Sequence, residues 1–316
     1  MCGIVCAFNI KGDKELVRAN VLKMAQRVRH RGPDWSGIYS KDGAILVHER
    51  LSIVDPISGK QPLYSKNLDK ILAVNGEIYN YRELRAELEP LGYFFRSDTD
   101  TEVVLCALDH WGVDALIRFN GMFALAFWDR KEKTLLLARD RYGIKPLYYF
   151  KSNSTLLFGS EQKAIFAQPS FDRKINKQAL LEYFTFQNIF TDQTLTRGIN
   201  ILPAGHYAKL DLFEKSPSLR KTCYWDLKFT EPENPASKEE YLEELDRLFK
   251  QAVQRQLVSD VELGAYLSGG MDSGSITAIA SKSFEYLKFI NSLFTYINLT
   301  KINVSIRLNL RNCNSI

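Results

Sequence analysis

Apolar or small residues occupy nearly every position of the N-terminal stretch CGIVCAF, residues 2–8. In a strand, alternate residues from Cys2 to Cys6 lie on one face, and those from Gly3 to Ala7 lie on the other. Because neither face is polar, the pattern is typical of a strand covered on both sides. It predicts an interior strand at the start of the chain.

A helical spacing follows this strand. Val17, Val21, Met24 and Val28 are separated by four, three and four residues, which places them on one face of an amphipathic helix. The helix should end at HRGPD, residues 30–34, because glycine and proline interrupt helical hydrogen bonding.

From there to about residue 210, apolar runs alternate with turn signals. The runs are AILVHERLSIV, KILAVNGEIYN, GMFALAFWDR, TLLLAR and STLLFGS. Two helical patterns interrupt them, and the second extends from about Thr101 to His110. Many strands with few helices indicate a layered sheet protein in which helices cover the outer faces.

The first of these two helices has apolar residues at Leu84, Leu88 and Leu91. Asn80 stands where an N-cap is expected, and Glu83 follows three positions later. The sequence therefore predicts a helix that is capped by the Asn80 side chain.

A change of composition marks residues 211–236 as an interdomain linker. Pro217, Pro232 and Pro235 stand there among lysine, serine, glutamate and asparagine. Residues 2–210 are the predicted first domain, and residues 237–286 are the predicted start of a second.

The second domain opens on a capping box, because Glu240 follows Ser237 by three positions. The helix that follows should turn one apolar face inward, formed by Leu245, Leu248, Ala252 and Leu257. After it, ELGAYL predicts a buried strand, SGGMDSGS a loop, and ITAIAS the start of a helix. A strand, a glycine-containing loop and a helix in this order are typical of the start of an α/β domain.

The C-terminal tail, residues 287–316, has an atypical composition. After Glu285 the chain contains no Asp, Glu, Gly or Pro, and isoleucine, asparagine, leucine and serine dominate without a clear period. Such a tail lacks the turn residues of an α/β domain. Two interpretations stay open: an unusual but genuine segment, or a shifted reading frame that ends early and leaves the second domain incomplete.

Composition narrows the class of protein. The 316 residues correspond to roughly two domains, and 45% hydrophobic with 25% charged residues is ordinary for a globular chain. A net charge of +5, spread along the sequence, argues against a nucleic-acid partner. No run approaches a bilayer span, the first fifteen residues lack the pattern of a leader, and five scattered cysteines fit neither a disulfide framework nor a zinc site. These features favour a cytoplasmic enzyme without a membrane partner.

Cys2 is the first candidate for catalysis because of its position. Removal of Met1 would place a free α-amino group on the residue that carries the thiol. This amine titrates near pH 8 and can therefore accept the thiol proton directly or through a water molecule. Nucleophile and base on one residue form the N-terminal-nucleophile type of covalent catalysis. Cys6, on the same strand face, is interpreted as a packing residue.

A series of motifs in residues 2–210 resembles the glutaminase domain of glutamine-hydrolysing asparagine synthetases. The motifs are CGIV, RHRGPDWSG, HERLSIVD, VNGEIYN, SDTDTEV, FNGMFALAFWD and ARDRYGIKPLYY. This family belongs to the class II, N-terminal-cysteine amidotransferases. The resemblance implies a four-layer αββα N-terminal-nucleophile hydrolase fold (class α+β), followed here by an incomplete α/β nucleotide-binding domain.

The resemblance also assigns roles within the glutaminase site. Cys2 is the nucleophile that attacks the side-chain amide of glutamine. The resulting oxyanion is stabilised by Asn75 and Gly76, which the sequence places between a strand and a tight turn. A bare Asn-Gly turn is the alternative interpretation of that pair.

Two charges recognise the amino-acid part of glutamine in the matched family. Arg50 matches the residue that binds the α-carboxylate, and Asp100 matches the acid that binds the α-ammonium, with Glu77 as a second contact. Asp98 sits in a similar Ser-Asp-Thr frame, but the following Thr-Glu-Val favours Asp100. His30 is interpreted as structural, because an N-terminal amine makes a histidine base unnecessary.

A second site is centred on the loop at residues 268–273, which resembles the pyrophosphate loop of ATP pyrophosphatase domains. Its glycines permit a turn whose N–H groups point at phosphate oxygens, and the following helix offers its positive end. The expected ATP-binding residues are Leu267, Ser268, Gly269, Gly270, Asp272 and Ser273. Asp272 is also the candidate ligand for Mg²⁺.

The expected function is thus that of a glutamine-dependent asparagine synthase with glutamine, ATP and aspartate as small-molecule partners and no cofactor for the glutaminase step. We expect this chain to retain glutamine hydrolysis without completing the ATP site. Three alternatives stay open: a related amidotransferase of sugar or purine metabolism, which the SGGMDS loop disfavours; an amidotransferase for a different carboxylate; and an inactive or regulatory fragment. A homodimer is also left open.

Overall fold

Two six-stranded antiparallel sheets pack face to face in Met1–Phe229, the first of two units into which the chain divides; the second unit is Thr230–Ile316. The computed structural model describes residues 2–8, 13–152, 155–169, 171–211, 218–283 and 288–291. The strands of the first unit are β1 (Gly3–Phe8), β2 (Trp35–Lys41), β3 (Ala44–Arg50), β4 (Leu63–Tyr64), β5 (Lys70–Ile78), β6 (Gly121–Asp129), β7 (Thr134–Arg139), β8 (Tyr148–Lys151), β9 (Leu156–Gly159), β10 (Ile199–Ile201), β11 (His206–Asp211) and β12 (Arg220–Cys223).

The strands divide equally between the sheets. The first sheet has the order β10-β8-β9-β1-β3-β2, and the second has the order β12-β11-β7-β6-β5-β4. Helices occupy the segments between the strands. They are α1 (Lys14–Gln26), α2 (Tyr81–Leu88), α3 (Asp100–Trp111), α4 (Ala115–Arg118), α5 (Gln162–Ile165) and α6 (Lys177–Phe186).

Strand β1 is buried on both faces, which confirms the prediction from its apolar pattern. Ile4, Cys6 and Phe8 belong to the apolar core shared by the two sheets. Val5 and Ala7 face the other way and belong to the cluster that includes the apolar side of α1. Neighbours β3 and β9 pair with β1 on its two edges, so the residue before β1 is held at the centre of the first sheet.

Helices cover the outer faces of the two sheets. Helix α1 packs on β1 and β3 of the first sheet, and α3 packs on β5 of the second. The order of layers is therefore helix, sheet, sheet, helix, and the predicted αββα fold is confirmed. The predicted helix at 101–110 corresponds to α3, which begins after Thr99, whose side-chain oxygen accepts from Glu102 N–H.

The cap predicted for α2 is wrong in one respect. Asn80 occupies the N-cap position, but its side chain makes no capping hydrogen bond. The amide instead donates to the Arg118 carbonyl (3.0 Å) and accepts from Asn120 N–H (2.9 Å), so a tertiary contact replaces the local one. Leu91 also lies outside α2, in the short 3₁₀ turn that follows, and is exposed.

The segment predicted as a linker contains a strand. Strand β12 pairs with β11 from His206↔Cys223 to Lys209↔Arg220 and extends the second sheet. Tyr224 N–H continues this edge by donating to the Gly205 carbonyl. The division between the two units accordingly falls after Phe229.

The second unit contains α7 (Lys238–Arg255), β13 (Gly264–Leu267), α8 (Met271–Ala280) and β14 (Lys288–Asn291) among its described residues. The capping box between Ser237 and Glu240 is present, with both reciprocal hydrogen bonds. Strands β13 and β14 pair in parallel across α8, as expected for the start of an α/β domain. Most of the tail, residues 292–316, lies outside the described residues.

Two burial predictions for this unit are wrong. The face of α7 expected to turn inward is open: Leu245, Leu248 and Ala252 are exposed, and Val253 is the buried residue of the helix. Helix α7 packs against α8, but α8 has ten residues and α7 has eighteen, so α8 is too short to cover the apolar face of α7 along its whole length. Strand β13, predicted to be buried, is half-buried or exposed, with Tyr266 74% exposed.

Within the described part of the chain, no helix combines the length and the apolar character that crossing a bilayer requires.

Candidate active site

Cys2 lies directly before β1, at the end of the first sheet that also carries the end of β3. Its Sγ accepts a hydrogen bond from Leu51 N–H (3.4 Å) and lies 3.6 Å from the Leu51 carbonyl, to which the thiol donates. Burial raises the pKa of the Cys2 thiol, whereas the contact with Leu51 N–H lowers it. The thiol is therefore neutral at rest and needs a base before it can attack.

An arginine fixes the backbone of Cys2. Arg31 Nε donates to the Cys2 carbonyl (2.9 Å), and its Nη1 donates to Glu161 Oε1 (3.0 Å). Glu161 also pairs with His30 (2.9 Å) and with Lys163 (2.8 Å). Sequence reasoning missed Arg31, although it stands in the RHRGPD motif beside His30.

Asn75 and Gly76 lie inside β5, which extends to Ile78 past the position where the sequence predicted a tight turn, so the alternative of a bare Asn-Gly turn is wrong. The strand continues through them because β5 pairs with β6 as far as Ile78↔Gly121. A Cβ on Gly76 would lie 2.1 Å from the Met122 carbonyl oxygen, so the close approach of the two strands requires glycine here.

The Asn75 side chain is fully buried, and neither its Nδ2 nor its Oδ1 has a hydrogen-bond partner among the described residues. Buried amides are almost always paired, because an unpaired one costs about 1–3 kcal/mol. An orphaned donor at this position is what a site for a developing oxyanion requires.

The residue before Asn75 is anchored by side chains on both of its backbone groups. His48 on β3 donates from Nε2 to the Val74 carbonyl (2.8 Å) and so links the two sheets. Gln61 Oε1 accepts from Val74 N–H (2.7 Å). Burial lowers the pKa of His48 to about 4, so this histidine is neutral at physiological pH.

Asp100 lies at the start of α3, and its carboxylate accepts from Ile78 N–H (2.9 Å) at the end of β5. Burial and the nearby Glu77 carboxylate together raise the pKa of Asp100 to about 6, although the hydrogen bond from Ile78 N–H lowers it. Asp98, the alternative from sequence, lies elsewhere: its carboxylate is exposed and pairs with Arg85.

Arg50 ends β3 and is surrounded by the loop that follows it. Its guanidinium donates to the carbonyls of Val54 (2.9 Å), Asp55 (2.7 Å) and Pro56 (3.1 Å). A Cβ on Gly59 would lie 2.2 Å from Nη2, so the loop reaches the guanidinium only because residue 59 is glycine.

One cavity collects the whole set of glutaminase residues proposed from sequence. Cys2, Arg50, Asn75, Gly76, Glu77 and Asp100 all line it. The other lining residues are Leu51, Ile53, Val54, Gln61, Thr99, Thr101 and Lys145. Lys145 was not assigned a role from the sequence; a lysine inside the otherwise uncharged run YGIKPLYY was the available signal.

The candidate phosphate loop is a separate feature of the second unit. Helix α8 begins at Met271, earlier than predicted, so Asp272 and Ser273 lie in its first turn. Gly269 has φ +85°, a left-handed conformation that favours glycine. Ser268 Oγ and Ser273 Oγ lie 2.9 Å apart, and Gly270 caps α8 without a side-chain hydrogen bond.

Helix α8 therefore offers uncapped N–H groups, as a phosphate site requires. Leu267, the last residue of β13, leads into this loop. Asp272 is exposed, and the described residues contain no cluster of three metal-binding side chains. A single carboxylate is compatible with Mg²⁺ that takes its remaining ligands from phosphates and water.

Comparison with known families gives two matches along the chain. Residues 1–225 match the family described as glutamine amidotransferase domain, and residues 244–297 match the family described as asparagine synthase.

Individual relatives agree with these matches. The chain is 36% identical over 288 residues to asparagine synthetase [glutamine-hydrolyzing] 3 of Bacillus subtilis, which covers 90% of this chain and 46% of that protein. It is 37% identical over 285 residues to asparagine synthetase B [glutamine-hydrolyzing] of Escherichia coli, covering 89% of this chain and 45% of that protein. The chain thus spans about half the length of the curated relatives it matches.

Solved structures show the same fold at lower identity. Glutamine phosphoribosylpyrophosphate amidotransferase from B. subtilis, complexed with ADP and GMP, superposes with a TM-score of 0.52 at 15% identity and covers 92% of this chain and 65% of that one. A structure described as the allosteric regulatory enzyme of purine biosynthesis gives a TM-score of 0.53 at 14% identity, covering 96% of this chain and 68% of that one. At these identities the likeness establishes the fold alone.

Proposed function

The chain belongs to the glutamine amidotransferase family, and from that membership we propose that it hydrolyses glutamine to glutamate and ammonia with Cys2 as the nucleophile. One observation carries the proposal: the fully buried Asn75 amide, unpaired among the described residues, lines the same cavity as the Cys2 thiol. A reactive thiol beside an unused hydrogen-bond donor is the arrangement that acyl transfer needs.

The first chemical step is attack on the amide carbon of glutamine. After removal of Met1, the α-amine of Cys2 takes the thiol proton, and Sγ forms a bond to that carbon. The carbonyl oxygen becomes an oxyanion, which the Asn75 side-chain amide and Gly76 N–H stabilise. As the C–N bond breaks, the protonated amine returns the proton to the leaving ammonia. The thioester then reacts with water, and this releases glutamate and restores the thiol.

Recognition of glutamine is proposed to rest on charge at two ends of the cavity. Arg50 binds the α-carboxylate, replacing part of its present contact with the loop carbonyls, and Asp100 with Glu77 binds the α-ammonium. Asp100 rather than Asp98 is proposed because it lines the cavity.

For the whole protein we propose glutamine-dependent asparagine synthesis, in line with the named activity of the relatives and with the asparagine synthase match. Ser268, Gly269, Gly270 and Ser273 would hold the phosphates of ATP, with Leu267 near the nucleotide and Asp272 as a ligand of Mg²⁺. Bound ATP supplies the activation of the aspartate β-carboxylate, which ammonia from the first site then amidates. Among the described residues, Cys2, Cys6, Cys106 and Cys223 are free thiols, which supports the proposed cytoplasmic location.

The test of the glutaminase proposal is release of glutamate and ammonia from glutamine by the purified chain. We expect Cys2→Ala to abolish release and Cys223→Ala, a matched change at an exposed thiol, to leave it unchanged. An electrophilic glutamine analogue should add one adduct, located on residue 2 by peptide mass spectrometry. Activity that survives in Cys2→Ala, or no activity in a folded wild-type chain, would overturn the proposal.

A second assay concerns the acceptor half. The described part of the ATP site is one strand–loop–helix unit, so we expect no ATP-dependent asparagine from the 316-residue chain. Asparagine formed by this chain alone would contradict that expectation.

A further inference from the structure

Lys145 is a charged side chain in the cavity that glutamine hydrolysis, as described above, does not use. It is 4% exposed and lines the cavity together with Cys2 and Glu77. Among the described residues the Lys145 ammonium has no hydrogen-bond or ion-pair partner, and Glu77 is the charged group that acts on it most strongly. A buried cation without a direct partner is costly, so its presence in the cavity needs a reason.

The backbone that carries Lys145 is organised by one buried carboxylate. Asp140 accepts hydrogen bonds from the N–H groups of Phe123 (3.1 Å), Tyr142 (3.1 Å), Ile144 (2.9 Å) and Lys145 (3.0 Å). Four N–H donors on one carboxylate hold the loop in a single conformation.

Arg139 fixes the same loop through its carbonyl groups. Its guanidinium donates to the carbonyls of Lys145 (2.9 Å) and Leu202 (2.7 Å), and also to that of Gly143. Both backbone groups of Lys145 are therefore held by charged side chains. The position of the lysine in the cavity is determined by the fold and not by a flexible loop.

The charges of the cavity match glutamine only when Lys145 is counted. The α-carboxylate of glutamine faces one cation, Arg50. The α-ammonium faces two carboxylates, Glu77 and Asp100, which is one negative charge too many for a single ammonium. A fixed cation beside Glu77 removes this excess.

We propose that Lys145 is a specificity-determining residue that keeps Glu77 ionised, so that the empty cavity presents one net negative charge to the α-ammonium of an α-amino acid amide. The inference rests on the proposed function, because it assumes that glutamine occupies this cavity.

The electrostatics of the cavity support this assignment. Burial raises the pKa of Glu77 and Lys145 lowers it, while burial lowers the pKa of Lys145 and Glu77 raises it. Besides Glu77, the charged and titratable groups that act on Lys145 are Arg31, Cys2 and Asp140. Asp100 acts in turn on Arg50, Cys2 and Tyr79.

The proposal predicts a change in protons exchanged when glutamine binds. Without Lys145 the pKa of Glu77 rises, so a larger fraction of this carboxyl is protonated in the empty cavity, and the arriving ammonium drives that proton off. The measurement is calorimetry of glutamine binding at pH 7 in buffers of different ionisation enthalpy, in a Cys2→Ala background that cannot turn over. We expect Lys145→Met to release more protons per glutamine than the background, with about one proton as the upper limit because a single carboxyl titrates.

Three further variants separate charge from structure. Lys145→Arg keeps the cation and should match the background, and so should Lys174→Met, which removes an exposed lysine paired with Asp172. In a Glu77→Gln background, Lys145→Met should release no extra proton, because the titrating group is gone.

Equal proton release in Lys145→Met and in its background would overturn the inference, as would extra release that persists with Glu77→Gln. If Lys145→Met fails to fold, the Glu77→Gln variant tests whether Glu77 is ionised. Loss of an ionised Glu77 should lower the pKa of Asp100, so glutamine binding should weaken at a lower pH than in the background. An unchanged midpoint of binding against pH would contradict the proposal. Failure of the proposed function is distinguishable, because the wild-type chain would then release no ammonia.

Discussion

Asn75 carries a cost to stability that its proposed role at the oxyanion would explain. Its amide is fully buried and has no partner among the described residues, while Val74 directly before it is held on both backbone groups. The fold therefore aims an unused donor at the cavity and prevents it from relaxing toward another acceptor. Preorganised donors of this kind contribute to the transition state and not to the resting state.

Asn75→Ala should lose activity without losing stability. We expect kcat for glutamine hydrolysis to fall about 10²- to 10³-fold, because one oxyanion donor is removed. The unfolding free energy should fall by less than about 1 kcal/mol, because loss of the orphaned amide offsets the cavity that alanine leaves. Steady-state kinetics and urea unfolding measure the two quantities.

Gln61→Ala is the matched control for stability. Its amide is buried too, but its Oε1 accepts from Val74 N–H, so its removal leaves that donor unpaired and should cost about 1–3 kcal/mol. If Asn75→Ala destabilises the protein as much as Gln61→Ala does, Asn75 has a structural partner and the oxyanion assignment weakens.

At the scale of elements, the loop between β7 and β8 depends on Asp140. The two oxygens of the Asp140 carboxylate accept from four backbone N–H groups. An asparagine side chain has one oxygen only, and its NH₂ group would face backbone N–H donors without an acceptor. Asp140→Asn should therefore destabilise the first unit by about 2–4 kcal/mol. Urea unfolding followed by tryptophan fluorescence measures this.

Asp129→Asn provides the comparison. Asp129 accepts from Lys131 N–H and Glu132 N–H on an exposed turn, where water can replace lost contacts. Asp129→Asn should lower the free energy of unfolding by less than about 1 kcal/mol. A loss for Asp140→Asn no larger than that for Asp129→Asn would show that the loop does not depend on this carboxylate.

Elements with a strong local pattern could be predicted from the sequence. Strand β1 is apolar on both faces and is buried on both, and α3 has the predicted bounds to within a residue at each end. The failures have tertiary causes. The Asn80 side chain does not cap α2 because it bonds the Arg118 carbonyl and Asn120 N–H instead. The apolar face of α7 is exposed because the spacing of apolar residues predicts which face of a helix is apolar but not which element packs against it.

The residues proposed for the glutaminase site could be predicted from the sequence because each lies in a motif. The residues that support them could not be predicted: Arg31 donates to the Cys2 carbonyl, His48 donates to the Val74 carbonyl, and Lys145 lines the cavity from the loop between β7 and β8. Contacts between residues distant in sequence leave no periodic signal, so only the fold could reveal them.

At the scale of the whole molecule, the two units differ in how well they cover apolar surface. The first has two sheets that bury one core between them. In the second, the exposed apolar face of α7 consists of Tyr241, Leu242, Leu245, Leu248 and Phe249. Surfaces of this kind promote association between copies of a chain.

Replacing Leu245 and Leu248 with glutamate should reduce self-association of the chain and leave glutaminase kcat within about twofold, because α7 belongs to the second unit. Sedimentation velocity and ammonia release measure the two effects. Leu16→Glu, at an exposed leucine of α1, should change neither. Unaltered association in the double variant would assign aggregation to another surface.

The burial of one histidine and one aspartate in the same unit has a consequence for acid tolerance. Between about pH 4 and 6.5 the unfolded chain holds the His48 proton that the folded chain lacks, so His48 makes stability fall as pH falls. Between about pH 6 and 3.8 the folded chain holds an Asp100 proton that the unfolded chain lacks, so Asp100 makes stability rise as pH falls. The two contributions oppose each other over nearly the same interval, and unfolding there moves a proton onto the imidazole while it releases one from the carboxyl.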